Sequence, residues 1–107
     1  MATVSATLCR MASKQGWELA YEVVSSEVAR RGLTLAVFSA SIGLHRTTLD
    51  RFRKGEELGE ASLDSIEGGL SLPRDFLRYV ADGDVDALRE TGADPDLVRW
   101  LLRKLAV

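Results

Sequence analysis

The residues best equipped for chemistry lie between His45 and Gly55, where Arg46, Arg51, Arg53 and Lys54 stand against a single acid, Asp50. At helical spacing Thr47, Asp50, Arg51 and Lys54 share one face, with Arg46 and Arg53 flanking it. Thr48, Leu49 and Phe52 share the other face and are expected to be buried. An exposed stripe of this kind suits the edges of nucleic-acid bases. Arginine pairs bidentately with guanine, threonine uses its hydroxyl or sets its methyl against that of thymine, and aspartate accepts from cytosine. Asp50 has a second use open to it, orienting Arg46, Arg53 or Lys54 by local pairing. Covalent and metal chemistry find no comparable set. Cys9 is the only cysteine, which excludes an intrachain disulfide and a cysteine-based zinc site. His45 is the only histidine, and a helix cap or a phosphate contact suits it better than catalysis. No paired carboxylates, Cys/His nucleophile pair or phosphate-cradling glycine loop appears, so no enzyme, metal or cofactor is expected.

The rest of the chain sets limits on how that stripe is used. A length of 107 residues allows one domain with a modest core. The net charge of −2 is low for a protein that neutralises phosphates, but its distribution is uneven. From Glu56 to Asp96 acids dominate, with Arg74, Arg78 and Arg89 as the only bases. One face is therefore positive and the remainder acidic, an arrangement that orients a protein on a polyanion. No apolar run is long enough for a spanning helix, and the Ser, Thr, Arg and Lys near the N-terminus argue against a signal peptide. These features suit a reducing cytoplasm, beside the nucleoid, and no membrane.

Helical periodicity recurs throughout, and no run alternates as a strand does, so the expected class is all-α with five to seven helices. Residues 1–15 form an arm or a short helix carrying Val4, Leu8 and Met11. Trp17, Ala20, Tyr21, Val24 and Val28 mark an amphipathic helix over about 16–31, stopped by Gly32. Thr34 caps a second helix with Leu35, Phe38, Ser39 and Ile42 inward, and Gly43 ends it. A third runs over about 45–54. A fourth follows Ser62, with Leu63, Ile66 and Leu70 inward. Gly68 and Gly69 fit that helix poorly, so either it ends early or a neighbour packs very close. Pro73 opens a fifth, carrying Phe76, Leu77 and Val80, and Val85–Glu90 supplies a further turn or two. Asp94 caps and Pro95 opens a last helix bearing Leu97, Val98, Leu101, Leu102 and Leu105. Trp17 and Trp100 are expected to be packing residues.

Two short helices joined by a glycine-containing turn suit a helix-turn-helix. The segment resembles the lambda-repressor-like (Cro/XRE-type) helix-turn-helix family. The resemblance runs through Leu33-Thr34, Phe38-Ser39, Ile42-Gly43-Leu44, Arg46-Thr47-Thr48-Leu49 and Arg51-Phe52-Arg53-Lys54-Gly55. It continues more loosely over Leu63, Ile66, Leu70, Pro73, Phe76 and Leu77. It implies a compact helical domain over residues 16–82 in which Arg46, Thr47 and Arg51 face bases, with Asp50 beside them. It also implies that Thr34, His45, Thr48 and Lys54 approach phosphates, and Arg53, flanking the stripe, is expected to contact the backbone too. Leu35 stands where the family commonly has a polar residue, and His45 where a Ser or Thr cap is usual.

Residues 83–107 are read as a C-terminal helical extension whose Leu97, Val98, Trp100, Leu101 and Leu105 either pack on the chain's own domain or form a dimer interface. The expected partners are thus double-stranded DNA and either a second copy or another protein. The leading expectation is a sequence-specific transcriptional regulator, acting as a repressor of bacterial or phage type. The alternative is a protein-interaction module, antitoxin-like or a phage accessory factor, acting through its acidic half and C-terminal helix.

Overall fold

A computed structural model describes residues 13–105, and the expectations attached to Val4, Leu8 and Met11 lie outside the described residues. Regular structure among the described residues is entirely α-helical. The helices are α1 (Lys14–Arg30), α2 (Leu35–Ser41), α3 (Arg46–Arg53), α4 (Glu60–Leu70), α5 (Phe76–Asp82), α6 (Val85–Glu90) and α7 (Pro95–Lys104).

Helix α1 is the axis of the molecule and packs against α2, α3, α4 and α5. It begins earlier than periodicity suggests, because the Ser13 hydroxyl accepts from the Gly16 amide at 3.0 Å. Its buried stripe is wider too. Leu19, Val23 and Glu27 join Trp17, Ala20, Val24 and Val28 inside, because other helices press on more than one side. Tyr21 stays half-buried and sets its ring edge-on to Phe52, centroids 5.5 Å apart. Gly16 lies so close to α5 that a Cβ there would overlap the Ala81 carbonyl.

Helix α4 starts at Glu60 with Gly59 in the cap position, ahead of the expected Ser62. Leu63, Ile66 and Leu70 are buried as the spacing predicts. The two glycines do not end it. A Cβ on Gly69 would stand 2.9 Å from Ile42 Cγ2 and 3.0 Å from Phe38 Cε1, so α2 is the close neighbour. Gly68 faces open space.

Helix α5 opens at Phe76 and not at Pro73. The intervening chain turns through Asp75 in the left-handed region (φ 65°). Its first amides are satisfied from a distance. The Glu67 carboxylate, buried in α4, accepts from the Asp75 N–H at 3.1 Å and the Leu77 N–H at 2.9 Å. Phe76, Leu77 and Val80 then enter the core. Asp84 caps α6 through the Ala87 amide, and Asp94 caps α7 through the Asp96 amide, with Pro95 in the first turn as expected.

Residues 83–105 share the core of the preceding helices. Leu88 and Leu101 are wholly buried in one cluster with Trp17, Val24 and Phe76. Each such leucine contributes about 1.5–3 kcal/mol relative to exposure. No helix of the described residues is long and apolar enough to cross a membrane.

Candidate nucleic-acid interface

The α2–turn–α3 segment is shaped by short-range chemistry. The Thr34 hydroxyl accepts from the Val37 amide at 3.2 Å and fixes the start of α2. Phe38 is buried, and Ser39 is buried with its hydroxyl turned back to the Ala36 carbonyl at 3.1 Å. Beyond Ile42 the chain reverses at Gly43, whose φ of 72° suits glycine. The Leu44 amide reaches back to the Ser39 carbonyl at 2.8 Å, closing the end of α2.

His45 occupies the cap position of α3, but its side chain makes no capping hydrogen bond, contrary to one of its expected uses. The imidazole is exposed. In α3 only Phe52 is fully buried. Thr48 and Leu49, expected inside, are half-buried, and Leu49 lines an open cleft between α2 and α3. Arg46, Thr47, Asp50, Arg51, Arg53 and Lys54 are all exposed.

The charged members of this face are left unpaired. Arg46, Asp50, Arg51, Arg53 and Lys54 take part in no ion pair or side-chain hydrogen bond among the described residues. The local pairing of Asp50 with Arg46, Arg53 or Lys54 is therefore not formed. Some bases elsewhere do find acids. Arg30 meets Glu27 at 2.8 Å and Asp94 at 3.8 Å, Arg78 meets Glu57 at 3.5 Å, and Lys104 meets Glu22 at 3.7 Å.

Between α2 and α3 lies a cleft of about 510 Å³, lined by Ala36, Ala40, Leu44 and Leu49 together with Arg46 and Asp50. Two large apolar side chains near the start of α2, Leu33 and Val37, are exposed at 41% and 55%. The approach to Thr34 is therefore more apolar than a phosphate contact requires.

Two contributors could not be read from local sequence. The first turn of α1 packs beside Gly55 at the end of α3, with the stems of both Lys14 and Glu18 against it. Residues so far apart in the chain give no local signal of meeting. The cleft also depends on how α2 and α3 meet.

No protein-family model matches the chain, and no curated protein or solved structure is detectably similar to it.

The C-terminal apolar residues are divided. Leu101 is fully buried in the chain's own core and offers nothing to a second subunit. Leu97, Trp100 and Leu105 pack half-buried against that core, and Val98 is half-buried. No group of three or more His, Cys, Asp or Glu side chains able to hold a metal occurs among the described residues.

Proposed function

We propose that this chain is a sequence-specific DNA-binding protein, a transcriptional regulator acting by repression, in which α2, the turn and α3 form a helix-turn-helix. The observation that carries the reading is the cluster of exposed, unpaired cations Arg46, Arg51, Arg53 and Lys54 within nine residues, followed by a stretch from Glu56 to Asp96 in which acids dominate. A cation with no internal acid loses no partner when it meets a phosphate or a base edge. With α3 in the major groove, Arg46 and Arg51 pair with guanine and Thr47 contacts a neighbouring base. Lys54, with His45, Thr48 and Thr34 at the margins, lies against the backbone, as the family resemblance implies, and Arg53 joins them. One such helix reads only a few base pairs, so a second copy on an adjacent half-site supplies the remaining specificity.

The deciding experiment is a binding titration on duplex DNA over a range of salt. Affinity should fall linearly with the logarithm of salt concentration, with a slope set by the phosphates neutralised. Arg46→Ala or Arg51→Ala should relax preference at one base position, and Lys54→Ala should weaken binding to every sequence. Binding indifferent to salt overturns the proposal.

A second reading, a helical scaffold that binds another protein, is favoured by the net charge of −2 and by exposed Leu33 and Val37. A pulldown that recovers a protein partner but no DNA would support it.

A further inference from the structure

Asp50 is the anomaly of the α3 surface. Arg46 lies four residues before it and Lys54 four after, both within reach of a helical ion pair, yet its carboxylate is exposed and pairs with neither. An acid on a DNA-facing helix is repelled by phosphates unless it meets a donor. The major-groove edges of the bases differ in what they offer. Guanine presents only acceptors and thymine an acceptor beside a methyl. Adenine places a donor next to an acceptor, and cytosine alone offers a donor with no acceptor beside it. Asp50 also lines the same cleft as Arg46, among Ala36, Ala40, Leu44 and Leu49. Apolar neighbours lower the local dielectric and sharpen the difference between a matched and a mismatched edge.

Resting on the DNA-binding reading, we infer that Asp50 is a specificity-determining residue that selects cytosine and rejects guanine at one position of the half-site. One helical turn separates Arg46 from Asp50, a rise of about 6 Å against about 3.4 Å per stacked base. The two residues therefore address positions one or two steps apart. Arg46 demands an acceptor edge and Asp50 a donor edge. The pair reads a guanine and a cytosine in fixed relation.

The test is selection from a randomised duplex library by the wild-type chain, Asp50→Ala, Asp50→Asn and Arg46→Ala. Wild type should enrich a motif with one cytosine position within two base pairs of a preferred guanine. Asp50→Ala should lose about ten-fold or more of the preference at the cytosine alone and bind random-sequence DNA more tightly. Asp50→Asn should move that position toward adenine, which offers asparagine both a donor and an acceptor. Arg46→Ala should keep the cytosine and lose the guanine. If wild type enriches a motif that Asp50→Ala reproduces unchanged, this inference fails while the DNA-binding reading stands. If wild type enriches no sequence, both fall. Asp50 is exposed, so circular dichroism of its variants should match wild type and separate loss of preference from loss of fold.

Discussion

The carboxylate of Glu67 accepts a hydrogen bond at 2.9 Å from the backbone amide of Leu77, ten residues further on and at the start of another helix. A second bond from the Asp75 amide completes the arrangement. Glu67→Ala would leave both amides without partners at a largely buried junction. We expect a loss of about 1–3 kcal/mol, read as a lower urea midpoint with unchanged slope. A variant as stable as wild type would show that other groups satisfy these amides.

Burial pushes the Glu67 carboxyl above its ordinary range. The Leu77 and Asp75 amides pull it down, and the nearby Asp75 and Asp64 carboxylates raise it further. With the native pKa above the unfolded one, the native state keeps its proton to higher pH. The stability contributed by Glu67 is then fully present below the ordinary carboxylate range and lost as pH rises through the native value. Glu67→Gln removes that titration. The stability of wild type relative to Glu67→Gln should therefore fall as pH rises through the acid range, and a pH-independent difference would contradict this.

Adjacent glycines in α4 should respond to alanine in opposite senses. At Gly68 nothing lies within 4 Å of the added methyl, so alanine should stabilise the helix by about 0.5–1 kcal/mol. At Gly69 the methyl meets the branched Ile42 side chain and the wedged Phe38 ring, and alanine should destabilise. Thermal unfolding of the two variants side by side is the measurement.

Phe52 is the one fully buried anchor of α3, and Phe52→Ala should cost about 3–5 kcal/mol. Thr34→Ala removes only the cap on α2 and should cost about 1 kcal/mol. Denaturant titration should rank them in that order, and a reversal would mean that α3 is held mainly from its ends.

What the sequence reveals here divides by range. Thr34, Asp94 and Pro95 act within a few residues of themselves, and the structure puts all three where local rules expect them. The core positions named for α4 and α5 follow from the 3.6-residue period, but in α1 the period misses Leu19, Val23 and Glu27, which are buried by helices pressing on more than one side. Ser62 and Pro73 misplace helix starts because Gly59 and the Glu67 carboxylate supply the boundaries instead. Leu101 fits an external stripe or an internal one equally well in sequence, and only the packing of α7 commits it to the core. The charged face of α3 is legible because helical spacing fixes it, but the unpaired state of Asp50 depends on rotamers that spacing does not set.

Gly55 follows α3 with a φ of 87° and nearly touches the Lys14 carbonyl, where a Cβ would lie 2.8 Å away. An added Cβ would meet the Lys14 side chain as well, but the carbonyl cannot yield as a side chain does. The end of α3 is in effect indexed against the first turn of α1. A sidestep by one residue would bring Thr48 and Phe52 round to where Thr47 and Arg51 now stand. Any bulkier residue at Gly55 should therefore misalign the charged stripe before it unravels the fold.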